Sequence, residues 1–546
     1  MIKKILLSYS LLFTLIVFSQ NTVGVFTNTS GAYNGYTLFT SHKKTFLINN
    51  CGQVIQQWIS DFIPGNSVYL LENGNLLRTG QTNSTDITFG GQGGVIEIYS
   101  WEGNLLWQYY YDTPQYRQHH DVFPMPNGNI LILAANVMSN AEAIQAGRNP
   151  ALLTQSVLYS EQIIEVQPIG SNLGNIVWEW DIKNHLIQDF DATKDNFGVV
   201  SQNPNKLDIN FTNGMLGNSN WLHINSVQYN ENLNQIVLSS RNLSEIWIID
   251  HSTTTAQAAT NMGGLSGKGG GILYRWGNPQ AYKMGTEDDR QLFGQHYPHW
   301  IEEGLLDAGK IILFNNGNGR LPVFSEVYII NPPTNTSGAY FIETDGTFGP
   351  ELPEYIYSDM SETPSPFNSH ILSSAQRLPN GNILICEGNT GEIFEINAQE
   401  NIVWKYINPI QSNNGSITSQ GETTPFVKTL FRATKYTPDY SAFENKTLIP
   451  GNPIELNSEI NTACSILNVK EITSVNMTVS PNPTFGKVMI TSKSRIEKIE
   501  VYNMLGNEII SSTNSNSIDL SLYQSGIYLL RIYAGDSVLT QKLIKQ

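Results

Sequence analysis

Short apolar runs separated by polar turns recur from about residue 35 to residue 440. In the clearest copies, two apolar runs flank an Asn-Gly turn, at residues 67–79, 121–134 and 373–386. Residues 221–241 and 299–314 are looser copies. Asn and Gly both tolerate positive φ, so this pattern predicts a series of β-hairpins.

A second pair of strands is predicted after each hairpin, and its outer strand often ends at a tryptophan: Trp58, Trp107, Trp178, Trp276 and Trp404. Four strands repeated about five times, plus an incomplete copy at 35–58, predict an all-β fold, a six-bladed β-propeller. Residues 426–436 could supply the strand missing from the first copy, or form an ordinary edge strand. The insertions at 141–156 and 183–220 are expected to be loops.

The pattern changes after residue 450. A polar connector at 451–475 precedes short apolar runs within residues 476–546. Their spacing predicts a small C-terminal β-sandwich.

Composition and the N-terminal residues limit the cellular location of the protein and the kinds of molecule that it could bind. The chain has 546 residues, a formal charge of −16 and a pI near 5.0, so no basic face for nucleic acid is expected. Residues 1–20 combine Lys3 and Lys4 with an apolar run, which predicts a secretory signal peptide. No later stretch is long enough for a transmembrane span. The predicted propeller therefore begins after the signal peptide and occupies residues 21–450.

Three cysteines are too few for a disulfide framework or a CxxC metal site. A bond between Cys51 and Cys386 remains possible, with buried thiols as the alternative.

Six of the nine histidines precede predicted hairpins: His119, His120, His223, His296, His299 and His370. The starts of propeller hairpins share one face, so these side chains could meet, although each could instead cap a loop. Grouped histidines can act as nucleophile, acid or base, or can bind zinc or copper. Arg241 ends the 221–241 hairpin beside His223. Its charge would repel a metal ion and attract an anion, so no metal is expected.

Three motifs together resemble bacterial arylsulfate sulfotransferases: His119-His120-Asp121 with Asn127-Gly128-Asn129, residues 221–226 with Ser239-Ser240-Arg241, and Gln295-His296 with residues 315–320. The resemblance implies a six-bladed propeller that moves a sulfuryl group from a phenolic sulfate donor to a phenol acceptor. It implies no nucleotide donor, and no cofactor is expected.

The resemblance also implies residue roles. His296 would be the nucleophile that becomes sulfohistidine, with His299 as a competitor for that role. His223 would be the acid/base group, and Arg241 and His120 would bind the sulfuryl oxygens. Strand alternation should send His119 and His120 to opposite faces, which favours His120 in the site and leaves His119 as a further substrate-binding candidate.

Asn225 and Arg320 are expected to contact the substrate or the catalytic side chains, with structural roles in turns equally open. Two other functions also remain open. The propeller could be a non-catalytic surface module that binds glycans or proteins, or the site could hydrolyse aryl sulfates with water as acceptor.

The C-terminal region resembles the sorting domain of type IX secretion cargo, on the motifs Ser480-Pro481-Asn482-Pro483, residues 501–506, Ser525-Gly526-Ile527-Tyr528, Lys542 and Lys545. This resemblance implies that the type IX secretion machinery is a partner. It also implies export through the periplasm, followed by release or attachment at the cell surface.

Overall fold

The apolar runs form antiparallel strands in the computed structural model of the protein, which describes residues 21–215, 217–422, 427–458, 477–492, 494–503, 507–534 and 537–546. The chain divides into two units, Met1–Ile460 and Asn461–Gln546. The predicted signal peptide at 1–20 and most of the connector lie outside the described residues.

The strands of the first unit are β1 (Gly24–Asn28), β2 (Tyr36–Ser41), β3 (Lys44–Ile48), β4 (Val54–Ile59), β5 (Pro64–Leu70), β6 (Leu76–Gln81), β7 (Gly94–Tyr99), β8 (Leu105–Tyr110), β9 (Tyr116–Pro124), β10 (Ile130–Ser139), β11 (Val157–Ile169), β12 (Leu173–Asp181), β13 (Leu186–Ile187), β14 (Leu207–Asp208), β15 (Ile224–Asn230), β16 (Gln235–Ser240), β17 (Glu245–Asp250), β18 (Tyr274–Trp276), β19 (His296–Trp300), β20 (Ile311–Asn315), β21 (Glu326–Ile330), β22 (Tyr355–Tyr357), β23 (Ser374–Arg377), β24 (Ile383–Glu387), β25 (Glu392–Ile396), β26 (Ile402–Ile407) and β27 (Ala433–Tyr436).

These strands form six main antiparallel sheets in the described part of the unit: sheet 1 (β27-β2-β3-β4), sheet 2 (β5 to β8), sheet 3 (β9 to β12), sheet 4 (β15 to β18), sheet 5 (β19 to β22) and sheet 6 (β23 to β26, then β1). Strands β13 and β14 form a short parallel pair inside the 183–220 insertion. The prediction of an all-β fold is confirmed.

Strands from the two ends of the first unit pair with each other in sheets 1 and 6. β27 pairs with β2, which confirms that the 426–436 segment supplies the strand missing from the first copy; Phe426 itself lies outside the described residues. β1 pairs with β26, so sheet 6 gains a fifth strand from the N-terminal region. Both pairings join residues more than 370 positions apart in the chain.

Consecutive sheets share hydrophobic cores. Neighbouring residues of β16 show how: Val237 packs in the core with Ile246 and Leu313, and Leu238 packs in the core with Leu131 and Trp247. A strand buried on both faces has this continuous apolar character. Further cores join sheets 1 and 2, 2 and 3, 5 and 6, and 6 and 1.

The tryptophans predicted at the outer strands link five of the six sheets to the next sheet. The indole N–H of Trp58 in sheet 1 donates to the carbonyl of Ser100 at 2.9 Å, and Trp404 in sheet 6 donates to Asn50 in sheet 1 at 2.8 Å. Trp107 and Trp276 likewise donate to the carbonyls of Leu173 and Pro350, and Trp178 donates to the hydroxyl oxygen of Thr253. A buried indole N–H needs such an acceptor.

The helices of the first unit are short: α1 (Asn140–Gln145), α2 (Thr255–Ala258) and the 3₁₀ turns Pro150–Leu152, Ile182–His185, Val200–Gln202, Pro279–Tyr282, Glu287–Asp289 and Ser441–Phe443. None of the helices in the described residues is long and apolar enough to cross a membrane. Cys386 is a buried free thiol, so the pairing of Cys51 with Cys386 is not formed.

The second unit contains β28 (Met477–Ser480), β29 (Lys487–Ser492), β30 (Ile496–Tyr502), β31 (Glu508–Thr513), β32 (Ser517–Asp519), β33 (Gly526–Ala534) and β34 (Ser537–Lys545). They form two sheets, β28-β29-β32 and β31-β30-β33-β34, that share one core. Val488 of one sheet and Leu530 of the other are both fully buried there.

Candidate active site

The first strands of sheets 3, 4 and 5 have irregular backbone, with register shifts in the pairing of β9, β15 and β19. Residues with positive φ lie in or beside these strands: His120 at 51°, His223 at 47° and Tyr297 at 52°. Such values are uncommon outside glycine, and irregularities of this kind re-aim side chains. The irregular backbone brings histidines from three sheets together.

Five predicted side chains lie in one cluster, called the histidine cluster below: His119, His120, His223, Arg241 and His296. The rings of His120 and His223 are 4.6 Å apart between centroids. The main-chain N–H of Arg241 donates to the carbonyl of His223 at 3.2 Å, which confirms that these two residues share one end of a hairpin. Phe431 packs against His120 and His296, at 6.2 and 6.4 Å between ring centroids.

Asn316 fixes the orientation of His296. Asn316 Oδ1 lies 2.7 Å from His296 Nδ1, while Asn316 Nδ2 donates to the carbonyls of Ser369 and Leu372 at 2.6 and 3.0 Å. Because the amide nitrogen serves these carbonyls, the amide oxygen accepts from His296, and the ring proton is on Nδ1. The lone pair of neutral His296 is therefore on Nε2. Asn316 belongs to the 315–320 motif, but no role was predicted for it.

The three central imidazoles are electrically neutral at neutral pH. Burial, assisted by the charge of Arg241, lowers the pKa of His296 to about 3. Burial and then Arg241 also hold the pKa of His223 well below its usual value. The pKa of His120 is lowered well below its usual value by burial first, and next by His223 and His119. His296 is thus unprotonated on one nitrogen, next to an arginine cation.

His119 lies between His120 and a buried carboxylate. His119 Nδ1 is 2.8 Å from His120 Nδ1, and His119 Nε2 is 2.7 Å from Glu161 Oε2. The expectation that alternation sends His119 and His120 to opposite faces is wrong, because positive φ at His120 interrupts the regular strand. His119 is 0% exposed, so its neighbours are protein groups.

Asn225 and Arg320 have structural partners. Asn225 is fully buried and donates from Nδ2 to the carbonyl of Gln295 at 2.8 Å, directly before His296. Arg320 pairs with Glu326 at 2.7 Å and donates to the carbonyl of Phe324 at 2.9 Å. Asn225 therefore supports the backbone that carries His296, and the guanidinium of Arg320 is engaged in its own ion pair with Glu326.

A glycine-rich segment at residues 90–94 approaches the cluster. The N–H of His120 donates to the carbonyl of Gly91 at 2.8 Å, and a Cβ on Gly91 would lie 2.1 Å from the His120 ring. The ring of Phe89 packs against His119 at 4.9 Å and against His223 at 6.2 Å. No role was predicted for this segment, although its run of glycines was a visible signal for close backbone approach.

A cavity of about 920 Å³ lies at the opposite ends of the same strands. Hairpin-turn residues line it, together with Tyr297 and His299. His299 thus faces this cavity, whereas His296 lies in the histidine cluster. His370 is exposed, so not all six histidines at hairpin starts converge.

A buried ion pair lies in the same strands as the cluster. Arg432 Nη2 is 2.8 Å from Asp121 Oδ2, Arg432 Nη1 donates to the hydroxyl of Tyr69 at 2.7 Å, and the guanidinium stacks on the ring of Tyr297 at 3.7 Å. Gln228 Nε2 donates to the same Asp121 oxygen at 3.2 Å. These five residues come from sheets 2 to 5 and from the residue preceding β27 of sheet 1, so the network joins five sheets.

Two family models match the sequence. The model described as arylsulfotransferase (ASST) matches residues 20–420, and that described as secretion system C-terminal sorting domain matches residues 478–546. Both resemblances found in the sequence are confirmed. No curated protein has a significant sequence match to the chain.

Similar solved structures have low sequence identity. A protein of unknown function from Bacteroides caccae is 10% identical, with a TM-score of 0.38 over 74% of this chain and 98% of that one. A putative 6-phosphogluconolactonase from Bacteroides fragilis is 10% identical, with a TM-score of 0.34 over 75% and 99%. A streptogramin B lyase is 12% identical, with a TM-score of 0.34 over 77% and 94%.

Proposed function

The chain belongs to the arylsulfotransferase family, and from this premise we propose that it transfers a sulfuryl group from a phenolic sulfate ester to a phenol through a sulfohistidine at His296. The observation that carries the proposal is the oriented, neutral imidazole of His296 within a buried cluster that also holds Arg241 and His223. A group with a lone pair on Nε2 beside a fixed cation suits attack on an anionic ester.

In the first half-reaction, His296 Nε2 forms a bond to sulfur while the bond from sulfur to the phenolic oxygen breaks. Binding of the anionic ester favours the protonated form of His223, which then gives its proton to the leaving oxygen. Asn316 Oδ1 stabilises the positive charge that sulfation places on the His296 ring, through the Nδ1 proton.

The second half-reaction reverses these roles. Neutral His223 takes the proton of the acceptor phenol, whose oxygen bonds to sulfur while the bond between sulfur and His296 Nε2 breaks. The proton returns to His223 and the sulfuryl group leaves on the acceptor. Arg241 and His120 bind the sulfuryl oxygens in both steps, where fixed donors stabilise the transition state more than the free ester.

We also propose that sheets 1 to 6 are the blades of one closed propeller. The support is the cyclic order of contacts: each sheet shares a core with the next, and sheet 6 shares one with sheet 1. Tyr355 of sheet 5 donates to Glu400 of sheet 6 at 3.2 Å, which supplies a link where no tryptophan was predicted. The Asp121–Arg432 network lies where five sheets meet, as expected near a central axis.

The C-terminal sorting domain directs the protein to type IX export, to the cell surface or outside the cell. An extracellular site fits a reaction that draws its sulfuryl group from an aryl ester rather than from a nucleotide. We propose that the donor and acceptor are phenolic compounds met outside the cytoplasm.

The test is incubation of the purified protein with p-nitrophenyl sulfate, with and without phenol. We expect a burst of one equivalent of nitrophenol without phenol, continuous release with phenol, and a mass gain of one sulfuryl group on the protein. Continuous release that ignores phenol would indicate hydrolysis, and no release from a panel of aryl sulfates would indicate a binding module.

The variant His296→Ala tests the nucleophile, with His370→Ala as the matched control because His370 is exposed. We expect His296→Ala to lose both the burst and the mass gain, and His370→Ala to retain both. Full transfer by His296→Ala would show that another group attacks sulfur.

A further inference from the structure

A carboxylate outside the proposed mechanism is connected to the histidine cluster. Glu161 Oε2 lies 2.7 Å from His119 Nε2, and His119 Nδ1 lies 2.8 Å from His120 Nδ1. Glu161 and His119 are 0% exposed and His120 is 3% exposed. Glu161 lies in β11, away from every motif found in the sequence, and the three groups form one hydrogen-bonded chain that ends at a proposed sulfuryl ligand.

The same carboxylate also contacts the support of the acid/base group. Glu161 Oε1 accepts a hydrogen bond from the N–H of Ile224 at 3.2 Å, and Ile224 directly follows His223. Glu161 therefore touches the supports of two active-site histidines. A single buried carboxylate in this position can influence both the placement of His223 and the protonation of His120.

Only one hydrogen fits between the Nδ1 atoms of His119 and His120. The ring that carries this hydrogen determines whether Nε2 of His120 has a proton or a lone pair. If His119 is neutral with its proton on Nε2, then His119 Nδ1 must accept, and neutral His120 keeps a lone pair on Nε2. If His119 is an imidazolium, its Nδ1 donates to His120 Nδ1, and the proton of neutral His120 is on Nε2. Of these two arrangements, only the second lets neutral His120 donate to a sulfuryl oxygen from Nε2.

We propose that Glu161 holds His119 as an imidazolium and thereby fixes the proton of neutral His120 on Nε2. A buried carboxylate is costly without a cationic partner, and His119 is the group that pairs with Glu161. Glu161 and His119 are then positioning residues that act through His120. The role of the His120 Nε2 proton in binding a sulfuryl oxygen rests on the proposed function. The position of that proton on Nε2 does not depend on the proposed function.

The surroundings of His119 limit which groups can compete for this proton. The titratable groups that face it are Glu161 from β11, His120 on its own strand and His223 from the loop before β15. Phe89 packs against its ring at 4.9 Å. Arg241 adds a positive charge that acts on His120 and His223. Within this set, Glu161 is the anion that can balance a charged His119.

Neutron diffraction from crystals of the deuterated wild-type protein tests the proton positions directly. We expect deuterium on both nitrogens of His119 and on Nε2 of His120. Deuterium on Nδ1 of His120, or a singly protonated His119, would overturn the proposal. This measurement requires no variant and no activity, so it remains decisive even if the protein transfers no sulfuryl group.

The variant Glu161→Gln tests the consequence for catalysis, with Glu165→Gln as the matched control. Glu165 is on the same strand and also pairs with a histidine, His251, at 2.9 Å, but outside the cluster. We expect kcat/KM of Glu161→Gln to fall by about 10- to 100-fold, the scale of one charged hydrogen bond. The control should keep kcat/KM within about twofold.

A double-mutant cycle separates the proposed role from a purely structural one. Because the glutamine oxygen can still accept from the N–H of Ile224, the variant removes chiefly the route through His120, and Glu161→Gln should cost little further activity in a His120→Ala background. A full additional loss in that background would overturn the proposal. Thermal unfolding of each variant shows whether folding contributes to the loss.

Discussion

Asn316 Oδ1 and His296 Nδ1 are 2.7 Å apart, and this contact decides which nitrogen of the proposed nucleophile can attack. Asn316 is itself held by two carbonyls, so its amide is locked in one orientation. A tautomer fixed by a neighbouring acceptor is a general device for setting the reactive nitrogen of histidine.

Replacement of Asn316 should therefore reduce the rate of sulfation of His296. We expect Asn316→Ala to lower the burst rate by about 10- to 100-fold, because one hydrogen bond to a charged state is lost. The measurement is rapid-mixing kinetics with p-nitrophenyl sulfate. Asn318→Ala is the control, since Asn318 is exposed in the same motif. An unchanged burst rate in Asn316→Ala would show that Asn316 does not contribute to the attack by His296.

Gly91 should be needed for space as well as for backbone conformation. It has a φ of 85° and a Cβ there would lie 2.1 Å from the His120 ring, whereas Gly103 has a φ of 86° and nothing within 4 Å of its Cβ. Gly103→Ala should therefore cost only about 1–2 kcal/mol of left-handed strain. Gly91→Ala should cost more and should also lower kcat/KM at least tenfold. Equal effects of the two substitutions on stability and activity would contradict this.

Much of the first unit follows from local sequence signals. The Asn-Gly turns specify hairpins through the φ values they tolerate, and the tryptophans mark outer strands because a buried indole needs both a core and an acceptor. The placement of His223 beside Arg241 follows from the hairpin alone. The pairing of β27 with β2 is one of the two placements that the sequence leaves open for residues 426–436, because the first repeat lacks a strand.

The missed features depend on contacts between distant segments. Alternation placed His119 and His120 on opposite faces because it assumes regular strand geometry, which φ of 51° at His120 breaks. Glu161 reaches His119 from another strand of its sheet, and nothing in the local sequence around either residue marks the pair. His296 and His299 are three residues apart in β19, on either side of a register shift, and local sequence does not reveal that His296 lies in the cluster whereas His299 lines the cavity.

The pH dependence should show a nucleophile that resists protonation. Because the pKa of His296 is about 3, kcat/KM for the donor should not decline as the pH falls from 7 to 5. A histidine with a pKa of about 6.5 would lose most of its reactive form over this interval. The charge of Arg241 lowers the pKa of His296, so in Arg241→Gln any acidic decline should begin at a higher pH. A wild-type decline centred near pH 6.5 would contradict the assignment.

The Asp121–Arg432 pair should be a main determinant of stability. Both side chains are buried, and Arg432 also binds Tyr69 and stacks on Tyr297. Arg432→Met leaves the Asp121 charge without its partner, which should lower the free energy of unfolding by about 3–5 kcal/mol in urea titrations. Lys283→Met breaks a half-exposed pair with Asp189 and should cost at most about 1 kcal/mol. Because the penalty comes from an uncompensated charge, Asp121→Asn added to Arg432→Met should restore part of the loss; a further loss of stability would show that hydrogen bonding, not charge, dominates.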